Sequence, residues 1–289
     1  MLKYVAGNEL WCITQPDHAV VSGYLAAHWG NDEFARAGYY APFPDPERLR
    51  AETVLAIAEH DNGWWEWEAD PPLDPADGLP LHLTSLSQSD GFERWRRGIA
   101  RFREEHPYVA LLISLHAYSL HAPRVGAESD PAFLHPLFGG PGDWPAPEGD
   151  ELEEARQFVG EQHVLQELLS DRIRNDPRWS AAVEPWHLRP HTRLLQLCDA
   201  LSLHLCFGGD KEHTLANIPR KNWDERVSLT VQPVGDHKVA IDPYPFDQEP
   251  LPITLHARVL DPSARPTSEF HAWWHSRPRQ EIRFEFVAG

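Results

Sequence analysis

Residues 189–207 read RPHTRLLQLCDALSLHLCF. On a helix this stretch is apolar almost all round its circumference, and such a helix belongs inside a core. Asp199 stands in its middle, with Leu195, Ser202, Leu203 and Cys206 on or near the same face. An ionised carboxylate inside an apolar helix costs several kcal/mol even after relaxation. No Lys or Arg lies three or four residues away to compensate it within the helix. Asp199 must therefore be paired from elsewhere, protonated, or bound to a cation.

A second segment raises the same question. In PDPERLRAETVLAIAEHD, apolar Val54, Leu55, Ile57 and Ala58 lead into His60-Asp61, with Asp45 as N-cap ahead of Pro46. Left buried without partners, the imidazole and the carboxylate would each cost about 1–3 kcal/mol or more. A third polar group, His18, lies on the predicted helix QPDHAVVSGYLAAHWG, which Gly30 stops. Val21, Ser22 and Leu25 share its face.

The remaining elements follow from periodicity. LKYVAGNELWCIT predicts a hairpin about Gly7-Asn8. SDGFERWRRGIARFREEH, PYVALLISLHAYSLHA and DELEEARQFVGEQHVLQELLSDRIRND predict further helices, the second mostly buried. Pro123 to Gly149 is rich in Pro and Gly and reads as a surface loop. Within it, FGGPGDW lacks the GK[ST] of a phosphate-binding loop. After Gly208-Gly209 the pattern changes, and RVSLTVQPV, HKVAIDPYPF, PITLHARVL and QEIRFEFVA predict short strands. The expected architecture is a mainly α core over about residues 15–209 in a single domain of residues 1–289. Small antiparallel β elements come from both ends, the extension near 225–289 packing with the N-terminal hairpin.

Composition narrows the function. With 42% hydrophobic and 24% charged residues the chain is ordinary for a globular protein. A formal net charge of -18 argues against nucleic-acid polymers. It leaves room for one small anionic substrate if local cations reverse the field. No apolar run approaches the roughly 20 residues of a membrane helix, and no signal-peptide pattern opens the chain, so a cytoplasmic location without membrane contact is expected. Cys12, Cys198 and Cys206 show no zinc-ribbon spacing and read as reduced core thiols. The 17 histidines are more informative, since imidazole is the commonest metal ligand.

His18, His60, Asp61 and Asp199, drawn from three helices, form an N/O donor set suited to Mn, Fe, Ni or Zn. Their order, together with the phrases QPDHA, EHDNGWWEWE, LLISLHAYSL and LLQLCDALSLHLC, resembles the HD-domain superfamily of metal-dependent phosphohydrolases over roughly Gln15 to Phe207. The resemblance implies an HD-like helical core holding one divalent ion, or two. It implies hydrolysis of phosphate esters of nucleotides, or, in a minority branch, di-iron oxidation of small polyols or phosphonates. It also implies two further histidines between the HD pair and the last Asp. His116 fits that place as second-metal ligand or substrate contact, with His82 and His121 behind it.

The expected activity is metal-dependent hydrolysis of a small phosphate ester, with Asp61 orienting the attacking hydroxide and His116 beside it. Arg193 or Lys211 would neutralise charge. The competing readings are a di-iron oxygenase on the same scaffold and a non-catalytic, metal-stabilised binding domain. Each residue taken singly also has a plain structural reading. His60-Asp61-Asn62-Gly63 can be a helix end running into a turn, and Trp64, Trp65 and Trp67 can be packing groups.

Overall fold

The computed structural model describes residues 1–137, 146–261 and 269–289. The glycine-rich stretch at 138–145 lies outside the described residues, as does 262–268 in the C-terminal extension. A hairpin, β1 (Leu2–Ala6) and β2 (Glu9–Ile13), turns at Gly7, whose φ of 59° suits a residue without Cβ. The helices follow: α1 (Gln15–His28), α2 (Pro46–Ala58), α3 (Trp65–Ala69), α4 (Gln88–Phe102), α5 (Pro107–His121), α6 (Gly149–Arg174) and α7 (Pro185–Cys206). Then come β3 (His213–Pro219), β4 (Arg226–Gly235), β5 (Lys238–Asp242), β6 (Leu251–Leu260), α8 (Phe270–Ser276) and β7 (Arg279–Ala288).

α7 is the axis of the helical layer. Every residue from Pro190 to Cys206 is buried, and the helix packs on α1, α2, α5 and β3. Its lack of a polar face therefore has its counterpart in neighbours on all sides. Local chemistry sets the helix starts. Thr14 Oγ1 accepts from the Asp17 N–H at 3.1 Å to open α1, and Asp45 caps α2 by accepting from the Arg48 N–H at 3.1 Å.

The strands form one seven-stranded sheet in the order β1-β2-β6-β7-β5-β4-β3. Neighbours run antiparallel except β5 and β7, which are parallel. β2 pairs with β6, so the hairpin at the start of the chain joins the strands of its end. Along β6, Leu251, Ile253, Leu255 and Ala257 are buried while the residues between them face solvent. This alternation turns one sheet face toward the helices in a shared hydrophobic core.

The expectation of a mainly α, HD-like helical core with small antiparallel β elements is corrected here. The protein is α+β, with a mixed seven-stranded sheet as a full layer. The reading undercounted the sheet because β3 breaks the strand period. Its register shifts between Leu215 and Ile218, and Asn217 takes φ 60° at the irregularity. The short helix α8 also went unread. α2 ends at Ala58 rather than running through Asp61, which matters for the site below.

Among the described residues no helix is long and apolar enough to cross a membrane. α1 and α2, which bring His18 and His60 together, meet at a contact that leaves no room for a side chain. A Cβ on Gly23 would sit 2.4 Å from Ala58 Cβ. Gly23→Ala is expected to destabilise the fold by about 1–3 kcal/mol in urea unfolding, as overpacking does. An unchanged midpoint would show that the two helices can separate at no cost.

Candidate metal centre

His18, His60, Asp61, His116 and Asp199 come together in the buried interior, each less than a tenth exposed. His18 stands on the first turn of α1, His116 on α5 and Asp199 mid-way along α7. His60 and Asp61 follow α2 in a non-helical stretch, with Glu59 at φ -113° and Asp61 at φ -103°. Neighbours on a regular helix diverge by about 100°. Leaving the helix one residue before His60 lets both side chains turn inward.

The hydrogen bonds settle how the imidazoles face. His60 Nδ1–H donates to the Ile57 carbonyl at 2.8 Å. Its Nε2 is buried and without a hydrogen-bond partner. That atom lies 3.5 Å from Asp199 Oδ1 and 3.6 Å from Asp61 Oδ2. Ser202 gives its one proton to the Asp199 carbonyl at 2.9 Å. The contact between His18 Nδ1 and Ser202 Oγ at 2.9 Å must then be donated by the imidazole. His18 Nε2 faces Asp61 Oδ2 at 2.8 Å.

Two imidazoles anchored through Nδ1, with Nε2 directed at carboxylates, are an arrangement typical of metal ligands. Single donor atoms of His18, His60 and Asp199 all lie within 4.8 Å of one another. Ligands bound at about 2.1 Å to one ion stand about 3.0–3.4 Å apart at tetrahedral or right angles. The separations above bracket that range, so the residues present fit a divalent cation.

Asp199 is held from its other side. His135 Nε2 approaches Asp199 Oδ2 at 3.0 Å and His116 Nε2 at 3.4 Å. His135 Nδ1 accepts from the Leu137 N–H, so its proton sits on Nε2 and is donated to the carboxylate. Burial opposes the charge on Asp199. The imidazoles of His116, His135 and His60 more than offset it and hold the carboxyl well below its usual range. Burial also works against a charged His60, yet Asp61 and Asp199 push its imidazole up to about 9. His116 is pushed down to about 4, chiefly by burial, with Asp199 pulling the other way.

A cavity of about 250 Å³ opens from this cluster. His18, Asp61, His116 and Asp199 line one end, and Trp64, Trp95, Leu120 and Leu203 line its walls. Of the tryptophans, Trp64 is buried in that wall, Trp65 is half-exposed, and Trp67 stacks under the Arg94 guanidinium at 4.3 Å. His121 lines the cavity with its ring against Phe92 and Phe158, and burial, reinforced by Arg124, pushes it down to about 3. His82 bonds Thr84 instead.

The comparisons with known proteins now have a structure to be set against. A family profile described as "Protein of unknown function (DUF3891)" matches residues 1–262. The chain belongs to the DUF3891 family. No curated protein and no solved structure matches it. The resemblance to the HD-domain superfamily is therefore withdrawn. The DUF3891 match spans the hairpin, all the helices of the inner layer and β3 to β6, whereas the HD-like phrases covered the helices alone. An ordered His, His-Asp and Asp needs only helices meeting at one point, which unrelated folds also supply.

Two further expectations about this DUF3891 chain need correction. Arg193 does not neutralise the centre; it donates to the Leu134 carbonyl at 2.5 Å and to Gln196 Oε1 at 2.9 Å, and also to the Ala216 carbonyl. Lys211 is exposed. Gln196 donates to the Phe133 carbonyl at 2.7 Å, so these α7 side chains clamp the backbone just before His135. His135 itself was missed because its segment read as surface loop. The signal was present in Phe133, Leu134 and Leu137, apolar residues flanking a histidine.

Burial of neutral His116 favours the folded state fully above the ordinary histidine value near 6.5, and the advantage is lost as pH falls toward about 4. In chelator, urea stability is expected to fall over that interval, with His116 contributing up to about 3 kcal/mol. His116→Gln should show a shallower fall. An identical slope in both proteins would contradict the assignment.

Proposed function

We propose that this protein is a metal-dependent hydrolase acting on a small phosphate ester. The observation that carries the reading is the His60 Nε2 atom, buried, unpartnered and directed at two carboxylates beside a cavity. His18, His60, Asp61 and Asp199 would hold the cation. A divalent ion there lowers the pKa of a water toward neutrality and polarises a phosphoryl oxygen. The remaining work belongs to the chain. Asp61 lines the cavity and accepts a hydrogen bond from the attacking water, fixing its direction. His116 stays neutral near pH 7 and lines the cavity beside the ester. His135 keeps the Asp199 carboxylate in place.

The cavity speaks for an enzyme over a purely structural metal site, which is closed by protein ligands. A di-iron oxygenase requires further imidazoles free to ligate. The His135 proton on Nε2, set by the Leu137 N–H, favours the one-ion hydrolase instead.

Loading must displace the proton that Asp61 and Asp199 hold on His60 up to about 9. Uptake of Mn²⁺ at pH 7 is therefore expected to release protons and to strengthen as pH rises. Titration calorimetry in buffers of different ionisation enthalpy reads this directly. His60→Ala should lose the ion and lower phosphatase activity by a hundredfold or more, with modest loss of stability. Unfolding on His60→Ala would favour the structural-metal reading. Oxygen uptake by the iron-loaded protein with polyols would favour the oxygenase. Failure to bind Mn, Fe, Ni or Zn would end both enzyme readings.

A further inference from the structure

Two residues lining the cavity carry a buried side-chain polar atom with no hydrogen-bond partner in the chain. One is Trp64 Nε1–H, a donor, on a residue 3% exposed. The other is Gln15 Oε1, an acceptor, on a residue 4% exposed at the start of α1. Both residues line the cavity. The Gln15 backbone N–H is bound to Glu68 at 2.5 Å, so the residue is fixed while its carboxamide oxygen is left over. Buried donors and acceptors are rarely left unpaired, and each such pair of vacancies asks for a ligand.

Hydroxyls can answer both, because a hydroxyl accepts as well as donates. A fully ionised phosphate oxygen can accept from Trp64 but has no proton for Gln15. The anionic end has its own partner. Arg124, half-buried, is the one Lys or Arg among the described residues lining the cavity, with Glu151 on the same lining. The volume, about 250 Å³, lies below the roughly 300–1,000 Å³ of sites that enclose drug-sized ligands. The occupant is therefore small.

From these observations we infer that the cavity recognises a small hydroxylated phosphate monoester, of the polyol-phosphate or sugar-phosphate class. Its hydroxyls pair with Trp64 Nε1–H and with Gln15 Oε1, and its phosphate faces Arg124. The inference rests on the hydrolase reading for the phosphate and names the substrate class for that site. It separates this class from simple alkyl phosphates, which leave the donor and the acceptor unpaired.

The test uses two phosphonates that cannot be hydrolysed, dihydroxybutyl phosphonate and butyl phosphonate. Each is titrated calorimetrically into the full chain with and without Mn²⁺, and metal content is measured on every sample. The unsubstituted protein is expected to bind the dihydroxy compound at least about tenfold more tightly. Trp64→Phe, which keeps the ring and removes the N–H, and Gln15→Met should each abolish that preference. Both should leave affinity for butyl phosphonate within about twofold. Arg124→Gln should weaken both compounds alike, by about tenfold. A ratio near one in the unsubstituted protein, or a ratio untouched by Trp64→Phe and Gln15→Met, overturns the inference. So does a Mn²⁺-loaded protein that binds neither phosphonate, an outcome that leaves the metal centre standing. A preference that persists in protein taking up no metal upholds the hydroxyl site and removes the metal-dependent reading.

Discussion

An acid in the middle of a fully buried helix governs this structure. Asp199 has no solvent to share its charge, and no basic residue of its own helix reaches it. Its compensation comes from imidazoles on other segments: His116 on α5, His135 on the segment after it, and His60 after α2. Each must be delivered to within hydrogen-bonding or near-contact distance, so the packing of several elements is tied to one carboxylate. The load is shared, so losing one imidazole leaves Asp199 with the others.

The surrounding structure is arranged to hold those imidazoles in one orientation. Ile57 takes the His60 proton, Ser202 the His18 proton, and the Leu137 N–H fixes the His135 tautomer. Ser22, in turn, donates to Ser202 at 2.8 Å, linking α1 to α7. The result is a sorted set. His18 and His60 each turn Nε2 toward Asp61, and His60 toward Asp199 as well, whereas His135 donates its Nε2–H to Asp199 alone. On that difference rests the proposal that the first two hold a cation while the third holds Asp199. The sheet supplies the outer layer, and its buried face closes the core behind α7.

Much of the site was legible in the chain because its residues violate local rules. An Asp inside a Leu-rich helix and a His-Asp pair at an apolar helix end are each costly, so each advertises a partner. Ser22 and Ser202 already stood on the faces of His18 and Asp199 by helical spacing. What escaped was set by tertiary contact alone. His135 lies in a Pro-rich segment whose burial depends on Arg193 and Gln196 holding its backbone, which no periodicity reveals. β3 escaped because a bulge erases the two-residue alternation. The familiar order of metal-site residues suggested a family that the match over residues 1–262 and the sheet do not support. Spacing on helices reports which side chains meet better than it reports ancestry.

The central claim is that His18, His60, Asp61 and Asp199 enclose a single cation. The most direct measurement is anomalous diffraction from crystals of the Mn²⁺-loaded protein. The account requires one strong peak within about 2.0–2.4 Å of Nε2 of both histidines and of an oxygen from each aspartate. A loaded crystal with its peak elsewhere, or with those four side chains still bonded only to one another, would contradict it.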